Sequence, residues 1–376
     1  AVAFAPDGRT LASGSEDATI CLWDIDAITR QQSVAGQKDV KPIRSITSPT
    51  LARENPGRVL TLTFSPNGSL LASGDVSGTV YLWDTQTWQV RHRCHGHENW
   101  LRALAFTPDG TLLASSGAET MVRLWDTATG RIVDTFYGHT RSVWALGFAS
   151  AGNMLYSAGD DGSLRLWNLG SGGEHPAFRL IQGDPASVFA VTFHPESTLL
   201  AASDEKGRIY LWDNPLADPL ECRTLVGHTG KVDAIAFSPD GQILASVSND
   251  ETVRLWDWNK SSCIEIINVR ANRNRSQELT SVAFDPTGVY LTVGGTDGDI
   301  YLWHIGEPKS SRLCAVLQEH TGPIRALSFN AQGDLLVSGS MDRTIRLWPL
   351  PALLENQAAS QAVVECPSEV WSMALN

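Results

Sequence analysis

The chain has 376 residues and a net charge of −12, with 42% hydrophobic and 19% charged residues. This is the composition of an ordinary globular chain, and the acidic balance argues against nucleic acid, because phosphate binding needs clustered Lys and Arg. No apolar run approaches the roughly 18 residues of a membrane span, so we expect no membrane partner. The six cysteines, Cys21, Cys94, Cys222, Cys263, Cys314 and Cys366, show no CxxC and no metal-ligand spacing. Reduced, packing cysteines favour the cytoplasm.

One segment recurs along the whole chain. Each copy closes on a tryptophan, and the intervals between them are 60, 42, 42, 45, 44, 47 and 45 residues: Trp23, Trp83, Trp125, Trp167, Trp212, Trp256, Trp303 and Trp348. Repeats of this length predict small units that stack on their neighbours. The chain begins at Ala1 inside a strand-like segment and ends inside a matching one at 369–376. We therefore expect one domain over 1–376, cut from a longer protein.

The first long interval leaves the position of an insertion open. Residues 24–36 match 126–138 in length, which places the extra residues after Gly36, between a fourth strand and the next first strand. In the alternative alignment, the segment 43–48 (IRSITS) is the fourth strand, and the insertion moves to the opposite rim. In the first alignment, the polar and proline-bearing segment 37–57 predicts a surface loop.

Each copy has the pattern of four short strands. In the copy over 228–257, alternating residues at 232–238 precede the turn Ser-Pro-Asp-Gly, and 243–248 is a second short apolar run. Residues 252–256 form a third strand that is rich in β-branched and aromatic residues, and a weaker fourth strand follows about ten residues later. Such a sheet cannot bury both faces alone, so we expect an all-β fold of stacked four-stranded sheets.

Four residue types recur in a constant register. From His97, His139, His228 and His320, a serine lies 18 residues on, an acid 22 and the closing tryptophan 28. The serines are Ser115, Ser157, Ser246 and Ser338; the acids are Glu119, Asp161, Asp250 and Asp342; the tryptophans are Trp125, Trp167, Trp256 and Trp348. A glycine precedes His97, His139 and His228. With Gly-His near the start and Trp-Asp at the end of its copies, the chain resembles the WD-repeat β-propeller family over nearly its whole length.

The resemblance implies a β-propeller, and the eight copies predict eight blades of four antiparallel strands, with seven blades and a displaced terminal repeat as the alternative. It also implies that the four recurring residues form a hydrogen-bond chain inside each blade. A hydrolase triad would be needed once, whereas the set occurs four times, so we interpret it as structural. The second, fifth and seventh copies lack it, with Asn55, Asp184 and Arg275 at the histidine position. We expect these blades to open more readily.

The variable positions carry the functional hypothesis. In the family, the start of the first strand lines the top face, where partners commonly bind. Large and charged residues at these positions predict a protein or peptide surface: Trp100, Arg102, Trp144, Phe189, Lys231, Asp233 and Arg325. Trp371 matches Trp144 in the terminal partial copy. We predict a non-catalytic scaffold of a larger signalling or assembly protein, without cofactor, metal or catalytic residues. The alternative is a small-ligand-binding or enzymatic propeller that uses its central channel.

Overall fold

The computed structural model describes residues 1–15, 17–27, 42–47, 57–169, 178–181, 188–215, 221–269, 278–306, 310–354, 362–365, 370 and 373–374. Their strands form eight sheets, each built on four consecutive antiparallel strands. The chain divides into two compact units, and each unit contains four of these sheets. The prediction of an all-β propeller with eight blades, rather than seven, is confirmed.

The first unit contains the blades of the first four copies. Their strands are β1 (Val2–Phe4), β2 (Thr10–Gly14), β3 (Thr19–Asp24), β4 (Arg44–Thr47), β5 (Val59–Phe64), β6 (Leu70–Asp75), β7 (Val80–Asp84), β8 (Val90–Cys94), β9 (Leu101–Phe106), β10 (Leu112–Gly117), β11 (Val122–Asp126), β12 (Ile132–Phe136), β13 (Val143–Phe148), β14 (Met154–Gly159), β15 (Leu164–Asn168) and β16 (Phe178–Ile181). The short strand β33 (Met373–Ala374) also belongs to this unit.

The second unit contains the blades of the last four copies. Their strands are β17 (Val188–Phe193), β18 (Leu200–Asp204), β19 (Arg208–Trp212), β20 (Arg223–Val226), β21 (Val232–Phe237), β22 (Leu244–Ser248), β23 (Thr252–Asp257), β24 (Ser262–Asn268), β25 (Leu279–Phe284), β26 (Tyr290–Gly295), β27 (Ile300–His304), β28 (Arg312–Leu317), β29 (Ile324–Phe329), β30 (Leu335–Ser340), β31 (Thr344–Pro349) and β32 (Ala362–Glu365). The helix α1 (Leu350–Leu354) follows β31.

The core of each unit lies between successive blades. In the second unit, Ile209 and Leu211 of one blade pack with Val232 and Trp256 of the next, and all four are almost fully buried. The pattern follows from period-2 alternation on both faces of a short sheet, because each face needs an apolar neighbour. Burying a side chain of this size stabilises the fold by about 1.5–3 kcal/mol. The blades therefore depend on one another for stability.

The fourth strand of the first blade corrects one expectation. The preferred alignment placed it before Gly36, but the strand is β4. Ile46 of β4 lies opposite Ile20 of β3. The alternative alignment, with the segment 43–48 as the strand, is therefore the right one. The extra residues of the long interval lie between the third and fourth strands. The preferred alignment was wrong because it matched segment lengths, whereas β-branched residues decided which segment pairs.

The two ends of the chain meet in one sheet. Strand β1 pairs antiparallel with β2, and β33 pairs with it in parallel on the other side, with Val2 opposite Met373 and Ala3 opposite Ala374. Both matching end segments thus find a place, since β33 adds a fifth strand to the first blade.

The first strand of seven blades carries a β-bulge at the same place. The pairing with the second strand skips one residue near the start of the strand, and the skipped residues are Leu60, Arg102, Trp144, Phe189, Asp233, Thr280 and Arg325. A bulge leaves its extra residue out of the ladder and re-aims the side chain. These are the variable positions five residues after the histidine register.

Candidate functional site

The four recurring residue types meet inside their blades. In the sixth blade, Trp256 Nε1 donates to Ser246 Oγ at 2.8 Å, Ser246 Oγ donates to His228 Nε2 at 2.7 Å, and His228 Nδ1 lies 2.9 Å from Asp250 Oδ2. The third, fourth and eighth blades repeat this chain with Trp125, Trp167 and Trp348 as donors. The imidazoles of all four histidines are inaccessible to solvent. Enclosed in this way, the histidine and serine satisfy each other's hydrogen bonds and cannot reach a substrate.

A hydroxyl group extends the chain in three of these blades. Thr252 Oγ1 donates to Asp250 Oδ1 at 2.6 Å and lies 3.1 Å from His228 Nδ1. Ser163 and Thr344 occupy the same place in the fourth and eighth blades. The third blade departs from this pattern, because Arg123 Nη1 lies 3.3 Å from Glu119 Oε1 instead. The hydroxyl residue was not predicted from the sequence, although it lies 24 residues after the histidine in all three blades.

The glycine before the histidine makes room for an arginine. A Cβ atom at Gly227 would lie 2.5 Å from Arg254 Nη1 and 3.0 Å from the Trp256 ring. In the eighth blade Glu319 replaces this glycine, and its carboxylate pairs with Arg346. The arginine therefore either occupies the space above the glycine or binds the acid that replaces it.

Burial sets the protonation states of the histidines and acids in these hydrogen-bond chains. It lowers the pKa of His139, His228 and His320, and their acidic neighbours only partly offset this. Burial alone would raise the pKa of Asp161, but hydrogen bonds from Ser163 and the Thr140 amide hold it at about 2. The pKa values of Asp250 and Asp342 are likewise held well below normal. The folded protein thus favours neutral histidines beside ionised acids.

We expect acid to destabilise the fold in two stages. The unfolded histidines take up protons near pH 6.5, whereas the folded ones resist, so the free energy of unfolding falls as the pH drops below that value,. The carboxyl groups with lowered pKa stabilise the fold above their ordinary pKa of 3.8, and this contribution is lost as the pH falls toward 2. Urea unfolding at a series of pH values measures the free energy of unfolding, provided that the denaturant slope stays the same. A stability that is flat between pH 7.5 and 5 would contradict it.

Blades without the histidine satisfy their polar groups differently. In the second blade, Trp83 still donates to Ser73 Oγ at 2.8 Å. In the fifth, the buried Asp204 accepts from Arg208 Nε at 2.7 Å and from Tyr210. In the seventh, the indole nitrogen of Trp303 is buried and finds no acceptor in the described part of the chain. That the second, fifth and seventh blades open more readily stays a prediction; Asn55, Asp184 and Arg275 lie outside the described residues.

Replacing Trp256 or Trp303 by phenylalanine distinguishes an indole N–H that has an acceptor from one that has none among the described residues. Trp256→Phe removes a donor to Ser246 and should lower the free energy of unfolding by about 2–3 kcal/mol. Trp303→Phe removes an N–H that has no acceptor, so its cost should be below about 1 kcal/mol. Urea unfolding of the two variants beside the wild type measures the difference. Equal losses would show that the indole hydrogen bond contributes little.

In the first unit, large side chains at the bulges, or two residues before one, are at least partly exposed to solvent. We call the edge of each blade at which its first strand begins the top edge. Trp100 is 50% exposed there, and Arg102 is exposed two residues further on. Trp144, at the bulge of the neighbouring strand β13, is half-buried. Strands β9 and β13 lie in contact, so these side chains come from adjacent positions. Trp371 lies outside the described residues.

The candidates of the second unit form a compact charged group. Lys231 Nζ lies 2.5 Å from Asp233 Oδ1 and 4.4 Å from the centre of the Phe189 ring. Burial raises the pKa of Asp233, and its second oxygen has no hydrogen-bond donor in the described structure. Arg325 contributes a second cation, and its Nε lies 3.3 Å from Met341 Sδ. The side chains of this group therefore contact mainly one another.

Other kinds of site are not evident in the described residues. No group of three or more His, Cys, Asp and Glu is placed to hold a metal ion there. Five of the cysteines are free thiols, and Cys366 lies outside the described ranges. Among the described residues, no helix has the length and apolarity to span a membrane.

The comparisons with known proteins agree with the fold. A family model described as IFT122 first beta-propeller matches residues 58–307, and a model of the WD domain, G-beta repeat, matches 1–24 and 311–349. The chain is 33% identical over 103 residues to Periodic tryptophan protein 2 homolog of Schizosaccharomyces pombe, covering 26% of this chain and 11% of that protein. It is 35% identical over 80 residues to Protein ROOT INITIATION DEFECTIVE 3 of Arabidopsis thaliana, covering 21% and 18%.

A solved structure is similar over nearly the whole chain. It is the crystal structure of the computationally designed Ika8 protein, with 26% identity, a TM-score of 0.73, and coverage of 93% of this chain and 95% of that one. The curated relatives, by contrast, are matched over only 11% and 18% of their own lengths.

Proposed function

Because the chain belongs to the WD-repeat β-propeller family, we propose that it is a non-catalytic scaffold that binds a protein or peptide at the top edges of its blades. The observation that carries this proposal is the series of bulges in the first strands. Each bulge takes one variable residue out of the sheet pairing, and a bulge re-aims the side chain that it leaves unpaired. Packing constrains the rest of the blade, whereas sheet pairing does not fix the residue type at this position.

The composition of these positions supports a protein partner. Five of the bulge residues, Arg102, Trp144, Phe189, Asp233 and Arg325, together with Trp100 and Lys231 two residues before a bulge, are of types found at interface hot spots or their charged rims. Half of the Trp100 side chain is exposed, and exposing so large a ring is unfavourable unless a partner covers it. We also propose that the protein acts in the cytoplasm, as part of a larger signalling or assembly protein.

Replacing Trp100 by alanine tests the proposal. We expect proteins captured from a lysate by the immobilised wild type to be lost, with affinity reduced by at least about thirtyfold, the effect of a hot-spot residue. The melting temperature should change by less than about 2 °C, because the ring is exposed. Quantitative mass spectrometry of the captured proteins, together with thermal unfolding, measures both.

Val133→Ala is the matched control, since Val133 is 54% exposed on the fourth strand of the same blade. It should leave capture unchanged. If Trp100→Ala captures the same proteins as the wild type, or if the two variants lose capture equally, top-edge binding is refuted. Trp144→Ala is expected to weaken both capture and stability, because its ring is half-buried.

A small-ligand-binding or enzymatic propeller, the alternative to a scaffold, would need an acid that can exchange a proton; among the described top-edge acids, Asp233 has a raised pKa because of burial. Its carboxylate is paired with Lys231 at 2.5 Å, which favours a structural or binding role for this acid.

A further inference from the structure

We propose that Asn67 is a modification site, at which the folded turn converts the side-chain amide into the carboxylate of a normal aspartate through attack by the Gly68 nitrogen and hydrolysis. Asn67 lies in the turn that joins β5 to β6, at the end of the second blade opposite its top edge. It is the one asparagine in the sequence that is followed by glycine. Such a site does not depend on the proposed binding function.

The turn exposes the groups that react. The Asn67 side chain is exposed, and its Nδ2 makes no hydrogen bond with the described residues. Gly68 has no side chain to shield its amide nitrogen, and its φ of +69° is a conformation that glycine adopts without strain,. The leaving group and the attacking nitrogen are therefore both accessible, and the attack closes a cyclic imide.

Hydrogen bonds to the Asn67 carbonyl activate it. Its Oδ1 accepts from Ser65 Oγ at 2.8 Å, from Ser69 Oγ at 2.8 Å and from the Ser69 amide at 3.0 Å. These donors stabilise the negative charge that forms on Oδ1 when Cγ is attacked. The Gly68 amide donates to the Ser65 carbonyl at 2.8 Å, and releasing that bond slows the attack by at most about tenfold. Three activating hydrogen bonds thus stand against one that restrains the nitrogen.

The reaction needs only water besides the chain. The Gly68 nitrogen loses its proton to solvent and bonds to Asn67 Cγ. The Cγ–Nδ2 bond then breaks, and Nδ2 takes up a proton from solvent and leaves as ammonia. Water opens the imide in one of two ways. Cleavage between the nitrogen and Cγ leaves aspartate, whereas cleavage between the nitrogen and the main-chain carbonyl carbon leaves isoaspartate.

The fold accepts aspartate at this position, because two corresponding turns already contain it. Asp109 and Asp240 occupy the same place in the third and sixth blades, and each accepts a hydrogen bond from a hydroxyl two residues earlier, as Asn67 does. Hydrogen bonds from Thr107 and Thr111 lower the pKa of Asp109, so a turn of this kind stabilises a carboxylate. The same donors are in place around Asn67 before the reaction.

Isoaspartate does not fit this turn. It adds a methylene group to the backbone, whereas the pairing beside the turn is fixed, with Thr63 opposite Ala72 and Phe64 opposite Leu71. Phe64 and Leu71 are almost fully buried, so the strands cannot shift to take up the extra length. We therefore expect the folded protein to yield mainly aspartate, in contrast to the unfolded chain, where no turn favours the normal backbone.

Incubation of the folded chain in mildly alkaline heavy-oxygen water, followed by proteolysis and mass spectrometry, tests the proposal. The labelled oxygen marks each new carboxylate. Asn67 should be converted at least about tenfold faster than Asn153, an exposed asparagine in the matching turn of the fourth blade that is followed by Met154. The ratio of aspartate to isoaspartate at position 67 should be several times higher than in protein incubated in urea.

Gly68→Ala is the matched variant. Its added Cβ would lie 3.6 Å from the nearest atom, Pro6 Cδ, so the variant has room to fold despite the strain of a positive φ. Its methyl group shields the nitrogen, and conversion of Asn67 should fall at least about tenfold. Asn67→Asp, which carries the product, should melt at or above the wild-type temperature.

Four results would overturn the proposal. They are conversion of Asn67 no faster than that of Asn153, conversion confined to the sample in urea, an unchanged rate in Gly68→Ala, and equal product ratios in folded and unfolded protein. An Asn67→Asp variant that melts well below the wild type would also contradict it, because the turn would then not accept the product.

Discussion

Asp250→Ala is expected to lower the free energy of unfolding by about 3–5 kcal/mol, because it leaves a buried network without its acceptor. Asp250 accepts hydrogen bonds from His228, from the Thr229 and Thr252 amides, and from the Thr252 hydroxyl. Removing the carboxylate leaves these donors without an acceptor in a place where water cannot take over its role. Urea-induced unfolding followed by tryptophan fluorescence measures the loss.

Asp257→Ala in the same blade is the matched control. Asp257 pairs with the exposed Lys260 at 2.7 Å, and a surface pair of this kind contributes little to stability because water screens it. Asp250→Asn, which keeps one acceptor oxygen, should fall between the two variants. If Asp250→Ala costs no more than Asp257→Ala, the recurring residues do not hold the blade together.

Gly78→Ala is expected to cost about 2–4 kcal/mol, because its added Cβ has no space. Gly78 adopts a φ of +80°, and the new atom would lie 2.5 Å from the carbonyl oxygen of His97 and 2.9 Å from that of Asn99. These are backbone atoms, so they cannot rotate away. Their displacement would also move His97 away from Ser115.

Gly110→Ala isolates the steric part of this cost. Gly110 has a similar φ of +71°, but the nearest atom to its added Cβ would be Pro66 Cδ at 3.7 Å, an ordinary contact. Only backbone strain remains, and its cost is about 1 kcal/mol. Thermal or urea unfolding of both variants gives the comparison, and equal losses would refute the steric explanation.

The repeat itself could be predicted from the sequence because its constraints are local. A fixed spacing of His228, Ser246 and Trp256 requires a fixed arrangement of strands, so eight copies predicted eight blades. The same reasoning could have found the hydroxyl residue at 24 positions and the arginine at 26, since Thr252 and Arg254 have counterparts in other copies. The geometry that joins Gly227, Arg254 and Trp256 explains why Gly-His recurs.

Two features could not be predicted in this way. The fourth strand of the first blade lies beyond an insertion, and there matched lengths gave no information about which segment pairs with β3. The bulges leave no mark in the sequence, because the skipped residues range from Leu60 to Asp233 and Trp144. Only the pairing on either side, such as Val143 with Gly159 and Ala145 with Ala158, reveals them.

The bulges also have an evolutionary consequence. A residue outside the ladder can change its size or charge without shifting the register of its neighbours, so specificity can drift while foldability is preserved. Randomising the seven bulge codons should yield libraries in which most members still express as native protein, and from which new binding preferences can be selected on an unaltered frame.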